Sequence, residues 1–339
     1  VTRERMLAPS RVIRSTPQQA GGGRDRAVLV QKARQSIAKG SRSFAFASRL
    51  FDRDTRERAW LLYAWCRRCD DIADAQDHGG ALGEQSEKQA TDRIKAIRAL
   101  TDRAFEGLPT ADLAFDAIGQ LNTESGITRE MAEHVIGGFA LDAREWRPRT
   151  EGDLMRYCYH VAGAVGVMMA YVMRVDPKDG GMFDRACDLG LAFQLANISR
   201  DIVEDDAAGR CYIPTEWLAE RDLTPGQHTK PGNRFELAAI IPRLIDLMET
   251  HEAAARLGTK HLRFRQRWAV LSAARIYGAI GRKVRDRGQL AWHSRVVIGP
   301  LAKTGHVIAA LFEALVNSPP TPEHMPRWTR SELVPVKGW

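Results

Sequence analysis

Along most of this chain apolar side chains recur at intervals of three and four, and runs that alternate apolar with polar are scarce. The first spacing belongs to a helix buried along one side, the second to a strand. Nine segments carry the helical period: 27–39, 54–76, 86–105, 128–144, 151–174, 181–205, 234–257, 262–287 and 301–315. Pro177, Pro214 and Pro231 fall between them, where a missing N–H and a fixed φ break no helix. The pattern predicts an all-α core over residues 27–317. Residues 1–26, with Pro9, Pro17 and three successive glycines at 21–23, read as a flexible lead-in. Residues 318–339, with Pro319, Pro320, Pro322 and Pro326, read as an irregular tail.

A chain of 339 residues, 44% hydrophobic and 27% charged, has ample material for one large core. Its formal net charge of +8 suits an anionic substrate, nucleic acid or an acidic membrane surface, and selects none of them. The eight tryptophans are scattered and make no stacking platform for bases, so no nucleic-acid partner is expected. Five cysteines, an odd number without framework spacing, point to a reducing compartment. The longest apolar run, residues 161–173, is shorter than the about 20 residues a membrane span needs and reads as a buried helix. The first fifteen residues lack the apolar run of a secretory signal. These features lead to an expected cytoplasmic location, with peripheral contact to the inner face of a membrane left open.

Two carboxylate clusters carry the chemistry. Asp70 and Asp74 are four apart, with Asp71 between them, at the end of an apolar helix. Asn197, Asp201 and Asp205 step by four along another, with Glu204 close by. Side chains four apart share a helix face, and like charges there repel unless a cation intervenes. Each cluster alone would pass for a solvated acidic helix end. Two of them on otherwise apolar helices favour hard oxygen ligation of Mg²⁺ or Mn²⁺, ions that bind through a few carboxylates plus substrate phosphate. Gly163 and Gly166 lie inside an apolar helix, at a cost of roughly 1 kcal/mol each against alanine. They serve either close helix packing or room for a bulky ligand.

The blocks Ser41-Arg42-Ser43-Phe44, Tyr63-Ala64-Trp65-Cys66-Arg67-Arg68-Cys69-Asp70-Asp71-Ile72-Ala73-Asp74, Tyr157-Cys158-Tyr159-His160-Val161-Ala162-Gly163, Asn197-Ile198-Ser199-Arg200-Asp201-Ile202-Val203-Glu204-Asp205 and Arg210-Cys211-Tyr212-Ile213-Pro214 follow one another in that order. In this the chain resembles the head-to-head prenyl transferases of the squalene/phytoene synthase family, over roughly residues 28–290, and is most similar to bacterial phytoene-forming members. The resemblance implies the isoprenoid synthase fold, a single helical bundle around a central apolar cavity. It implies that two geranylgeranyl diphosphates condense through prephytoene diphosphate to phytoene, with release of two diphosphates and no NADPH. It implies Mg²⁺ or Mn²⁺ on Asp70, Asp74, Asn197, Asp201 and Asp205. Catalytic roles fall to Asp70, Asp74, Asp201, Asp205 and Tyr157. Substrate binding falls to Ser41, Ser43, Phe44, Tyr63, Arg67, Val161, Asn197, Arg200, Tyr212 and Tyr277.

The other features have plainer readings. Cys66 and Cys69 form a CxxC pair that packs rather than ligates, and His160 reads as a buried, hydrogen-bonded histidine. The arginine-rich stretch from Arg263 to Arg287 reads as a solvated face, with diphosphate or acidic lipid as the other candidates. The rival functions are a dehydrosqualene or squalene synthase using farnesyl diphosphate, and a noncatalytic helical scaffold. No protein partner is specified by the sequence.

Overall fold

A computed structural model describes residues 24–74, 87–144 and 146–334. Most of the expected lead-in (residues 1–23) and the last five residues of the expected tail lie outside them. The regular elements among the described residues are helical throughout. In chain order they are α1 (Arg26–Gly40), α2 (Arg42–Ser48), α3 (Arg53–Ala73), α4 (Glu87–Phe105), α5 (Leu113–Ser125), α6 (Arg129–Asp142) and α7 (Glu151–Cys158). A π-helical turn (Tyr159–Gly163) leads into α8 (Ala164–Val172) and the long α9 (Gly180–Ala207). Then come α10 (Thr215–Ala219), α11 (Arg234–Thr259), α12 (Phe264–Arg287), α13 (Pro300–Val316) and the single turn α14 (Arg330–Leu333).

α9 is the axis of the bundle and packs against α8, α11 and α12, while α3 packs against α1 and α5. One core runs through all of them. It buries Leu61, Leu62 and Trp65 of α3, Phe115 and Ile118 of α5, Leu191 and Leu195 of α9, and Leu244 and Met248 of α11. Local sequence fixes where the two key helices start. The Asp52 carboxylate accepts from the Thr55 N–H at 2.9 Å and caps α3. Asp179 accepts from the Met182 N–H at 3.1 Å and caps α9. A cap of this kind stabilises by about 1 kcal/mol, and it sets the phase of the aspartates at the far ends. The buried guanidinium of Arg26 reaches Glu57 of α3 and Glu124 of α5, both at 2.5 Å, and ties α1 to them.

The structure departs from the sequence reading in three places. The helix expected over 151–174 is interrupted by the π-turn, where the Ala164 N–H bonds to the Tyr159 carbonyl five residues back. The short helices α2, α5 and α10 had no strong periodic signal. α5 is rich in weak helix formers, and its Gly119 is required because a Cβ there would lie 2.6 Å from the Ala104 carbonyl of α4. Finally, the tail expected to be irregular contains the helical turn α14 and is fastened to the bundle: Trp328 Nε1 donates to Glu151 at 2.8 Å, and Arg330 of α14 meets Asp184 at 2.7 Å. No helix among the described residues is long and apolar enough to cross a membrane.

Candidate active site

Between α2, α3, α8, α9 and α12 lie two connected hollows. The deeper one is an apolar tunnel of about 310 Å³, walled by Phe44, Phe51, Val165, Met169, Leu189 and Phe193 among others. The outer one is a polar mouth of about 930 Å³. Ser41, Tyr63, Val161, Gln194, Asn197 and Tyr277 line both and form the throat. Tyr277 stacks on Phe193 with ring centroids 4.2 Å apart, and Phe44 leans on Tyr63 at 5.8 Å. The π-turn carries Val161 to the throat, a common placement for such turns. At Gly163 and Gly166 the helices pack closely: a Cβ at Gly166 would lie 2.2 Å from the Ala186 carbonyl of α9, and one at Gly163 3.1 Å from Cys187 Sγ. From the other side, a Cβ at Gly190 of α9 would lie 2.2 Å from the Ala162 carbonyl in the π-turn. Gly166 and Gly190 also line the tunnel, so the same seam widens it.

The two acidic motifs meet across the mouth. Asp70 of α3 and Asp201 and Asp205 of α9 line it, with Ser43, Arg67, Tyr157, Arg200 and Tyr212. Asp74 caps the end of α3 and ion-pairs with Arg210, itself a wall of the mouth. The expected site residues are therefore gathered around one hollow: Phe44 in the tunnel, Asp74 joined through Arg210, and the others in the throat or mouth.

Arginines answer the carboxylates. Arg67 pairs with Asp70 at 2.8 Å and with buried Asp71 at 2.6 Å. Asp201 receives Arg200 Nε at 2.7 Å and both forks of Arg295 at 3.0 Å. Although burial pushes Asp201 up, these hydrogen bonds hold its carboxyl below the usual range. Asp70 keeps 41% of its side chain open to the mouth. Enclosure by the surrounding protein, reinforced by Asp74 and Asp71, still pushes it up to about 6 against the pull of Arg67. Burial and the nearby Asp201 push Asp205 up to about 7, opposed by Arg210.

Four residues of this site escaped the sequence reading. Asp142, at the end of α6, accepts from Tyr212 at 2.8 Å and Tyr157 at 3.2 Å, whose rings stack 4.6 Å apart. Burial raises Asp142 to about 6. Arg210, Arg295 and Gln194 complete the set. An acidic residue closing the apolar run of α6 was the only available signal for Asp142. Arg210 was visible within a quoted block but carried no spacing of its own.

Among the described residues no three carboxylate, histidine or cysteine groups converge on one point. The donors offered are hard oxygens split between two helices. That set fits Mg²⁺ or Mn²⁺ held by one or two carboxylates, with water and phosphate oxygens filling the shell. Cys66 and Cys69 are free thiols, and burial raises Cys66 to about 12, which leaves it unreactive. His160 donates from Nδ1 to the His134 carbonyl at 2.6 Å, and burial pushes its ring pKa below the usual histidine range.

Solved structures share this architecture. A dehydrosqualene synthase aligns with a TM-score of 0.74 at 22% identity, covering 86% of this chain and 98% of that one. A squalene synthase from Alicyclobacillus acidocaldarius aligns with a TM-score of 0.66 at 21% identity, covering 78% and 95%. Bundle, tunnel and charged mouth together define an all-helical isoprenoid synthase fold. The sequence profile of the squalene/phytoene synthases matches residues 37–302. A phytoene synthase of Pseudescherichia vulneris is 47% identical over 79% of this chain and 86% of its own length. A 15-cis-phytoene synthase of Pantoea ananas is 40% identical over 89% and 98%. The chain belongs to the squalene/phytoene synthase family, enzymes that act on prenyl diphosphates.

Proposed function

We propose that the chain is a phytoene synthase that joins two geranylgeranyl diphosphates head to head, through prephytoene diphosphate, in carotenoid biosynthesis. The observation that carries this reading is the 47% identity to a protein named phytoene synthase, spread over most of both chains. The tunnel and mouth supply the physics. A prenyl tail fits an apolar channel, and its diphosphate fits a mouth walled by Arg67, Arg200, Arg210 and Arg295.

As the C1–O bond of one substrate breaks, these arginines take up the charge gathering on the leaving diphosphate. The C2–C3 double bond of the second chain attacks the resulting allylic C1, and loss of a proton closes a cyclopropane. The second diphosphate then departs, the cyclopropylcarbinyl cation rearranges, and a second proton loss gives phytoene. Diphosphate oxygens are available to accept both protons. Tyr63, Tyr212 and Tyr277 line the throat and mouth, where a tyrosine ring face would stabilise a cation. Tyr157 backs Tyr212 by stacking on it, and the apolar wall keeps out water that would quench the cation. Asp70, Asp74, Asn197, Asp201 and Asp205 would hold Mg²⁺ or Mn²⁺, which supplies further positive charge to the diphosphates when bound. No reductant is consumed. A hydrocarbon product has no polar handle and dissolves in lipid, which supports a cytoplasmic enzyme in peripheral contact with an acidic membrane surface.

The test is a product assay with geranylgeranyl and farnesyl diphosphates, each with Mg²⁺, with and without NADPH. Phytoene from the longer substrate, independent of NADPH, is expected. Dehydrosqualene or squalene from the shorter one as the main product would overturn the reading.

A further inference from the structure

α13 buries only its small apolar residues, Val307, Ala310 and Ala314, and leaves most of its large ones outside. Every exposed position from Pro300 to Val316 is uncharged. Leu301 is 91% exposed and Phe312 63%, and Ile308, Leu315 and Val316 share that outer side. The charged residues of the helix turn the other way. Glu313 pairs with Arg256 of α11 and, at 2.8 Å, with Arg275 of α12. Lys303 faces the mouth. Exposed apolar stripes of this length on a soluble surface mark a contact with something else.

The surroundings select the occupant. Between Ala253 and Phe312 the chain has twelve lysines and arginines and a single acid, Asp286. The basic face of α12 is largely satisfied inside the protein: Arg282 meets Glu252 at 2.8 Å, and Arg285 meets Glu249 at 2.9 Å. The cations left at the surface flank the apolar stripe. Lys260, Arg263 and Arg265 are exposed around the start of α12, which Arg267 fastens to the end of α13 through the Ala314 carbonyl at 2.9 Å. A second copy packed through this side would bring two cationic rims together, whereas an anionic lipid headgroup layer neutralises them. The stripe also adjoins the site, since Val297 and Pro300, leading into α13, line the mouth.

We propose that the outer side of α13 lies in the surface of an anionic bilayer, with the basic rim on the headgroups and the mouth opening beside the lipid. This deepens the peripheral contact proposed above and rests on that reading only for its purpose, the passage of an apolar product into the membrane.

The test needs no substrate, so its outcome is separable from the identity of the product. The full chain is floated on a density gradient with vesicles of phosphatidylcholine plus phosphatidylglycerol, and with phosphatidylcholine alone. Flotation with the anionic vesicles is expected, falling about tenfold in the neutral ones or at high salt. Leu301→Glu and Phe312→Glu should each cut binding by about tenfold or more. Their melting midpoints and turnover in detergent should match the parent, because both side chains point away from the core. The proposal fails if the parent does not float with anionic vesicles, or if the double variant floats equally well. It also fails if the parent is a dimer that Phe312→Glu dissolves, since a second copy then covers the stripe.

Discussion

The mouth and the tunnel share α2, α3, α9 and α12 and are built under opposite rules. In the mouth, carboxylates face guanidinium groups across short, exchangeable contacts, and a polyanion or a divalent ion can compete for either partner. In the tunnel the fit is set by packing, with Arg185, paired with Asp188 at 3.2 Å, the one charged side chain on the described wall. α9 delivers both. Positions 190, 193, 197, 201 and 205 run down one side of it as glycine, phenylalanine, asparagine, aspartate and aspartate. The environment thus changes from dry to ionic over about 22 Å of one helix. Binding a molecule with one charged end and one greasy end is a matter of register along a single element.

The largest expected effect separates the two regions outright. Asp70→Ala and Asp201→Ala should each lower diphosphate release by roughly 10²–10³-fold, the loss typical of a missing electrostatic contact in a transition state. Melting curves should barely move, and divalent-ion titrations should shift to higher concentration. Near-normal rates in both variants would remove the mouth from the chemistry. Next, Met169→Asp puts a charge on the tunnel wall and should reduce kcat/KM by about 10- to 100-fold through the cost of wetting that wall. Steady-state kinetics on the prenyl substrate checks it, and an unchanged value would mean the tail lies elsewhere. Gly190→Ala should act on stability, by about 1–3 kcal/mol, because the new methyl meets the Ala162 carbonyl of the neighbouring segment. Urea midpoints measure it. The smallest effect is Tyr157→Phe, which removes one hydrogen bond to Asp142 but keeps the ring stacked on Tyr212. A change of about 1 kcal/mol, seen as a few-fold drop in rate, is expected. A far larger loss would make the hydroxyl itself a participant.

Much of the mouth was legible because its aspartates announce themselves at a spacing of four on helices that are apolar elsewhere. Asp142 and Arg295 were not, because each arrives alone from a different part of the chain; Arg210 stood beside the second cluster but acquires meaning only from Asp74, with which it pairs across the fold. The helix at 301–315 shows the other limit of periodicity. Spacing locates an apolar stripe without saying whether it points inward. On α13 the small residues Val307, Ala310 and Ala314 take the inner side, with Glu313 paired to Arg256 and Arg275 beside them, and Leu301, Phe312 and Leu315 are left outside. The short helices α2, α5 and α10 were missed because fewer than four turns give little pattern to count.

The π-turn at Tyr159–Gly163 has a hereditary consequence. A stretch of helix that carries one residue too many can be returned to ordinary winding by deleting a single codon. Because the wide turn is what absorbs the extra residue, α7 and α8 would keep their phase, and only the side chains within the turn would be re-aimed. Val161 would leave the throat, while the seam where Gly166 nests against Ala186 would survive. The wall of the reaction chamber is therefore tuned by chain length at one spot, where a lineage can change the lining without moving the helices that carry it.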